Sequence, residues 1–272
     1  MGDTMTVERI KMTVDGEQVS ARSDETVLTV CRRLGKDIPT LCHHDALAPY
    51  ASCRVCLVEA TSGGRTTLVP SCQYPVSDGL VVQTDSPAVR DARRVVLELL
   101  LARCPASERI RELAAKYGVT ETPYQSDDPE ETCILCGLCV RTCQELIGTS
   151  AIGFAGRGVE REVTAPFDLP SEVCIGCEAC INVCPTGYVV KRLETGKLVM
   201  ETWHTELERH RCASCGEAFL TEKQIAFIRE RVDKELEGLE LCPTCRRKAT
   251  GENVRTATKA MSALKIGTIR NP

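Results

Sequence analysis

The sequence predicts an α+β protein assembled from several small modules held together by cysteines rather than by one large core. Three observations carry that expectation. A hairpin-and-helix pattern opens the chain, two helices are expected over Pro87 to Arg103 and Ser107 to Tyr117 from the first-turn proline and the serine cap, and sixteen of the eighteen cysteines fall into groups at metal-ligand spacing. At 272 residues the chain has room for two or three small domains, and 43% hydrophobic content is ordinary for a globular protein.

In the first module, Val7, Ile10, Met12 and Val14 are apolar, Asp15-Gly16 supplies a turn and Val19 continues the second strand. Asp24 or Thr26 caps a short helix through Leu34, Gly35 ends it, and Ile38-Pro39 bars its continuation. Val27, Leu28 and Cys31 face inward, which makes Cys31 a small core residue. Cys42, Cys53, Cys56 and Cys72 follow, spaced C-x10-C-x2-C-x15-C, with strands expected over 55–60, 66–69 and 80–83. Four cysteines with one tight C-x2-C in a loop suit a [2Fe–2S] rhomb in a β-grasp sheet of the ferredoxin type. A zinc site is the alternative, for which the two long gaps are loose. His43 and His44 read as loop residues, since four cysteines already suffice.

The centre of the chain carries the strongest pattern. Cys133, Cys136, Cys139 and Cys143, then Cys174, Cys177, Cys180 and Cys184 with Pro185, write C-x2-C-x2-C-x3-C twice, 30 residues apart. Bacterial ferredoxins with two [4Fe–4S] clusters use this run, the fourth cysteine of each half ligating the other cluster. Cluster A is therefore expected on Cys133, Cys136, Cys139 and Cys184, and cluster B on Cys143, Cys174, Cys177 and Cys180. The first run ends in Cys143-Gln144 rather than Cys-Pro, a small departure, and the bland alternative is eight disulfide or zinc cysteines.

A hairpin is expected over 189–203, and after it two knuckles, Cys212-x2-Cys215-Gly216 and Cys242-Pro243-x-Cys245, lie 26 residues apart. Ile225, Phe227, Ile228, Val232 and Leu236 approximate one helical face between them. Four thiolates on paired knuckles point to a structural zinc ribbon, with rubredoxin-type mononuclear iron or a further iron–sulfur cluster as alternatives. His204 and His210 read as surface residues. The expected organisation is a β-grasp [2Fe–2S] domain over 1–86, a helical linker over 87–128, a dicluster ferredoxin domain over 129–204, a zinc-ribbon-like module over 205–249 and a tail over 250–272.

The stretches LCHHDALAPYASCRVCLVEA, PSCQYPVSDGLVVQT, RRVVLELLLARCP, CILCGLCVRTC, AIGFAGRG and CIGCEACINVCPTG occur in that order. Together they resemble the diaphorase iron–sulfur subunit of NAD-reducing [NiFe] hydrogenases and the N-terminal regions of the complex I large iron–sulfur subunit and of multi-cluster [FeFe] hydrogenases. The resemblance covers about residues 8–190. It implies one [2Fe–2S] and two [4Fe–4S] clusters on the twelve cysteines named. These families usually carry another cluster, held by one histidine and three cysteines, after the β-grasp domain. Here Cys104-Pro105 stands where the family has His-Pro, and no three cysteines follow, so that cluster is expected to be lost.

Formal charge is −4, and metallated thiolate sites add about −2 each, which disfavours general nucleic-acid binding. No signal peptide or membrane-length apolar run is evident, and reduced cysteines suit the cytoplasm. Gly153 to Gly158 do not form a dinucleotide fingerprint, and no nucleophile–base signature stands out. The expected function is an electron-transfer subunit of an NAD(P)H-linked oxidoreductase, without catalysis of its own. By resemblance its partners are an NAD(P)H-binding flavoprotein, a small [2Fe–2S] subunit and a catalytic subunit (hydrogenase, formate dehydrogenase) or a ferredoxin-coupled bifurcating unit. The alternatives are a succinate dehydrogenase-type iron–sulfur subunit and a redox-sensing or assembly iron–sulfur protein.

Overall fold

The computed structural model describes residues 8–232 and 238–252. Val7 of the expected first strand, Leu236 of the expected helix and the tail beyond residue 252 lie outside the described residues. The described part divides into two compact units, one from Met1–Pro166 and Glu178–Val190, the other from Phe167–Cys177 and Lys191–Pro272.

The first unit opens with the expected hairpin, β1 (Arg9–Val14) and β2 (Glu17–Arg22), turning on Asp15 and Gly16 at positive φ. The turn is held by its own acid. Asp15 accepts from the backbone N–H of Thr84 at 2.7 Å and from its hydroxyl at 2.8 Å, and pairs with Lys36 at 3.2 Å. Helix α1 (Val27–Arg33) is capped by Thr26, whose hydroxyl accepts from the N–H of Thr29. Strands β3 (Leu57–Ser62), β4 (Arg65–Pro70) and β5 (Val81–Gln83) complete a mixed sheet of order β2-β1-β5-β3-β4, in which β1 and β5 run parallel. Alternate residues Met12, Val14, Val58, Ala60 and Val82 meet Val27, Leu28, Val30 and Cys31 of α1 in one core. Cys31 is the core residue the sequence led us to expect, wholly buried.

Helices α2 (Pro87–Arg103) and α3 (Glu108–Lys116) follow, with Pro87 in the first turn of α2 and Ser86 capping it. Their Leu97, Leu101, Ile110 and Leu113 build a second core with Leu41 and Val55 of the first cysteine loop and with Ile134 and Leu138 of the next cysteine run. Helix α4 (Leu138–Arg141) widens into a π-helical turn over Thr142–Ile147, a small ladder pairs β6 (Gly153–Ala155) with β7 (Glu162–Thr164), and α5 (Ala179–Val183) closes the unit.

In the second unit, β8 (Lys191–Glu194) and β9 (Lys197–Met200) form the later hairpin. It extends into a four-stranded sheet, β11-β10-β9-β8, through β10 (Thr205–Arg211) and β11 (Ala218–Thr221). Strand β10 reads TELERHR, too polar to signal a strand by its composition. Helix α6 (Glu222–Arg231) starts on a capping box between Thr221 and Gln224, and its Ile225 is buried, as are Leu198 and Leu207 of the sheet and Trp203 of the turn between β9 and β10. Residues 243–252 are also helical. No helix among the described residues is long and apolar enough to cross a membrane.

Replacing Leu28, fully buried between α1 and the sheet, by alanine is expected to cost about 2–5 kcal/mol, whereas Leu193→Ala on exposed β8 is expected to cost no more than about 0.5 kcal/mol. Denaturant midpoints of the two variants, measured anaerobically, check the contrast.

Candidate metal centres

All eighteen cysteines are free thiols. In the first unit, Cys42, Cys53, Cys56 and Cys72 are all buried. The loop that presents them turns through Ala51 and Arg54, both at positive φ, and the N–H of Cys53 is thereby aimed at the sulfur of Cys42, 3.4 Å away. Cys72 follows β4 after Ser71 alone and Cys56 directly precedes β3, so the β3–β4 pairing fixes their separation. Ser71 reinforces it, donating its N–H (3.1 Å) and hydroxyl (2.8 Å) to the carbonyl of Cys56. The thiols interact in pairs. Cys53 donates to Cys42, which with the N–H groups of Cys53 and Ser52 brings the Cys42 thiol down to about 6 against the cost of burial. Cys72 likewise brings Cys56 down to about 6, while the two donors, Cys53 and Cys72, are pushed up.

Cys133, Cys136 and Cys139 sit on a tight turn through Leu135 and Gly137, both at positive φ, with the N–H of Leu135 directed at the Cys133 sulfur at 3.4 Å. Glu131 fixes the entry to the turn by accepting from the N–H groups of Thr132 (2.8 Å) and Cys133 (2.7 Å). Gly137 is favoured here by its positive φ, and a Cβ would also lie 3.2 Å from the Phe154 ring, which would have to give by a few tenths of an ångström. Burial pushes Cys133 up to about 11 and Cys136 to about 12, and raises Cys139 as well. Cys184, at the end of α5, lies near enough to add a smaller upward push on all three.

Of the remaining four, Cys143 and Cys180 lie in the first unit and Cys174 and Cys177 in the second. Cys143 sits in the π-helical turn, whose extra residue re-aims it. Its sulfur accepts from the N–H of Ala151 at 3.2 Å and lies 3.3 Å from the Thr149 hydroxyl. The segment bearing Cys174 and Cys177 is fastened within its own unit. Ser171 N–H donates to the Thr205 hydroxyl (3.1 Å), the Thr221 hydroxyl donates to the Ile175 carbonyl (2.5 Å), and Lys223 donates to the Glu172 carbonyl (2.5 Å). Gly176 fits flat on the sheet, where a Cβ would come within 2.6 Å of Leu207 and 2.9 Å of Thr221.

Cys212, Cys215, Cys242 and Cys245 place their sulfurs within 4.8 Å of one another. The Cys215 and Cys242 sulfurs are 3.7 Å apart, and the N–H of Cys242 points at the Cys212 sulfur at 3.2 Å. A tetrahedral metal with sulfur ligands at about 2.3 Å spaces them about 3.8 Å apart, so this set fits one metal ion. A cubane distributes its thiolates over four irons and needs a wider set.

Buried polar atoms without partners support the fit of anionic groups in the first unit. His43 Nδ1, Arg141 Nη1 and Thr142 Oγ1 are buried without a hydrogen-bond partner, and each belongs to a residue within two positions of a cysteine in these sets. Buried donors left unpaired are costly, and sulfide or thiolate acceptors satisfy them.

Comparison with known proteins agrees with this chemistry. A model of the 2Fe-2S iron-sulfur cluster binding domain matches residues 7–87, and one of the 4Fe-4S dicluster domain matches residues 132–188. One of the NADH-quinone oxidoreductase subunits of Rhizobium meliloti is 33% identical over 182 residues, 57% of this chain and 21% of that protein. An NADP-reducing hydrogenase subunit of Solidesulfovibrio fructosivorans, HndD, is 34% identical over 212 residues, 67% of this chain and 36% of that protein. A chain in the crystal structure of an NAD+-reducing [NiFe]-hydrogenase is 31% identical, with a TM-score of 0.50, over 57% of this chain and 74% of that chain. The chain belongs to this family of iron–sulfur oxidoreductase subunits. It spans well under half the length of the two curated relatives, and the four-cysteine set at 212–245 lies outside both matched domain models.

Within this family member, two arginines escaped the sequence reading. Arg141, on α4 between two cysteines, is buried, donates to the Ala48 carbonyl and to Glu145 (3.0 Å), and stacks over Tyr50. It thereby ties the second cysteine run to the first cysteine loop. Arg93 on α2 is buried in the stripe Val89–Arg93–Leu97–Leu101, and a charge at that i+4 spacing was the available signal. Cys104 is fully buried, donates its thiol to the Leu100 carbonyl at 2.9 Å, and is pushed up to about 12, mainly by burial.

Gly176→Ala is expected to lower stability by about 1–3 kcal/mol, because φ is +69° and the new methyl overlaps Leu207 and Thr221. Gly187→Ala shares the positive φ but meets nothing within 4 Å, so it should cost less. Melting temperatures of both variants check the difference.

Proposed function

We propose that this chain is the electron-carrying iron–sulfur subunit of a soluble, multi-subunit NAD(P)H-linked oxidoreductase. The observation that carries the reading is twelve cysteines in three sets matched in order by a 2Fe-2S and a 4Fe-4S dicluster domain, in a chain whose relatives are nicotinamide-linked oxidoreductase subunits. Cys42, Cys53, Cys56 and Cys72, on a β-grasp domain, would hold [2Fe–2S]. Cys133, Cys136, Cys139 and Cys184 would hold one [4Fe–4S], and Cys143, Cys174, Cys177 and Cys180 the other. Such centres supply one-electron storage, and the protein sets their potentials through burial and hydrogen bonds to sulfur. The N–H groups of Cys53, Leu135 and Ala151 serve that purpose here.

The partners we propose, from the family resemblance, are a flavoprotein that oxidises NAD(P)H, a small [2Fe–2S] subunit and a catalytic subunit or ferredoxin. We place the chain in a reducing, cytoplasmic setting, where clustered cysteines serve as metal ligands rather than disulfides. Cys212, Cys215, Cys242 and Cys245 would hold a closed zinc ion as scaffold, their sulfur spacing supporting one metal over a cluster, with mononuclear iron the alternative. Cys104, in place of the family's histidine and without three companion cysteines, is a spare buried thiol rather than a ligand in this reading.

Metal and sulfide analysis of the anaerobically purified chain, with EPR of the reduced sample, tests the assignment. About ten irons, one zinc, one [2Fe–2S] signal and coupled [4Fe–4S] signals are expected. About eleven irons without zinc would place iron in the four-cysteine site, and fewer than about six irons would overturn the three-cluster reading.

A further inference from the structure

Arg93 is 2% exposed, yet no carboxylate among the described residues lies within ion-pair distance of it. Its Nε donates to the carbonyl of Val55 at 3.0 Å and its Nη2 to that of Leu57 at 2.9 Å. Its guanidinium also lies over the Tyr117 ring, 5.1 Å from the centroid. Asp37, whose carboxyl senses Arg93 only weakly, is exposed and engaged by Lys116 at 2.5 Å. A fully buried cation with only neutral partners is costly, and an anion held nearby offsets that cost. Its two acceptors flank Cys56, and the carbonyl of Cys56 itself is taken by Ser71. The cation is thus fixed at the floor of the first cysteine loop, one residue either side of a proposed ligand.

We propose that Arg93 is the counter-charge and positioning residue of the [2Fe–2S] site, stabilising its reduced form. The inference rests on the assignment of that site to Cys42, Cys53, Cys56 and Cys72. One-electron reduction takes a [2Fe–2S] centre with four thiolates from about −2 to about −3, with no bond made or broken and no proton moved. The electron comes from a reduced flavin in the proposed complex, or from dithionite in the test.

The test is an EPR-monitored redox titration of the full chain as wild type, Arg93→Gln and Arg93→Lys, with the [4Fe–4S] signals as internal reference. Lysine keeps the charge but not the two-carbonyl fork. In Arg93→Gln the [2Fe–2S] midpoint is expected to fall by at least a tenfold change in the reduction equilibrium, about 59 mV for one electron, with the [4Fe–4S] midpoints unmoved. Arg93→Lys is expected to stay near wild type. If the glutamine variant loses the centre while the lysine variant keeps it at the wild-type midpoint, the counter-charge is equally supported. Wild-type midpoints in both variants, or a lysine variant no better than the glutamine one, overturn it. Absence of any [2Fe–2S] signal from the wild type overturns the site assignment instead.

Discussion

Bringing four thiols together in a protein interior is the constraint on which most of this structure depends. As thiols they are buried and reluctant to ionise, as the upward shifts of Cys133 and Cys136 record. As metal ligands they are anions that need donors. The backbone supplies those donors by leaving regular structure at each cysteine loop, through Ala51 and Arg54 in one and Leu135 and Gly137 in the next. Strands end where these loops begin, Cys56 preceding β3 and Cys72 following β4, so the sheet acts as a caliper for one pair of sulfurs.

The same apolar cluster that holds Leu97, Leu101 and Ile110 also contains Cys42, Cys53 and Cys136. Ligands of two proposed centres are therefore lodged in one apolar cluster. Arg141 spans the same two loops, from α4 to the Ala48 carbonyl and the Tyr50 ring. Low dielectric and well-packed contacts keep reorganisation small when charge arrives. That property bears directly on a chain expected to lack the family's one-histidine, three-cysteine centre.

The opening hairpin, a cap at Asp24 or Thr26, of which the structure uses Thr26, and the Pro87 helix start were legible because each rests on local chemistry: a turn dipeptide, a hydroxyl or a fixed φ. What was illegible depended on distant partners. Arg93 reads as one more surface charge on a helix until the Val55 and Leu57 carbonyls are seen to face it. Strand β10 alternates buried Thr205 and Leu207 with charged residues, a pattern too short to compete with its polar composition. The π-helical turn at Cys143 leaves no compositional trace, since it arises from how the chain must present one sulfur.

The segment 167–177 belongs structurally with residues from 191 onward, held by Thr205, Thr221 and Lys223 and pressed flat at Gly176. The four-cysteine region beyond residue 205 is therefore no detachable appendage. Trimming it away would strip the segment bearing Cys174 and Cys177 of its anchors, although that segment lies in the middle of the chain. A cut at the start of this region would therefore part Cys174 and Cys177 from the three side chains, of Thr205, Thr221 and Lys223, that hold their segment in place.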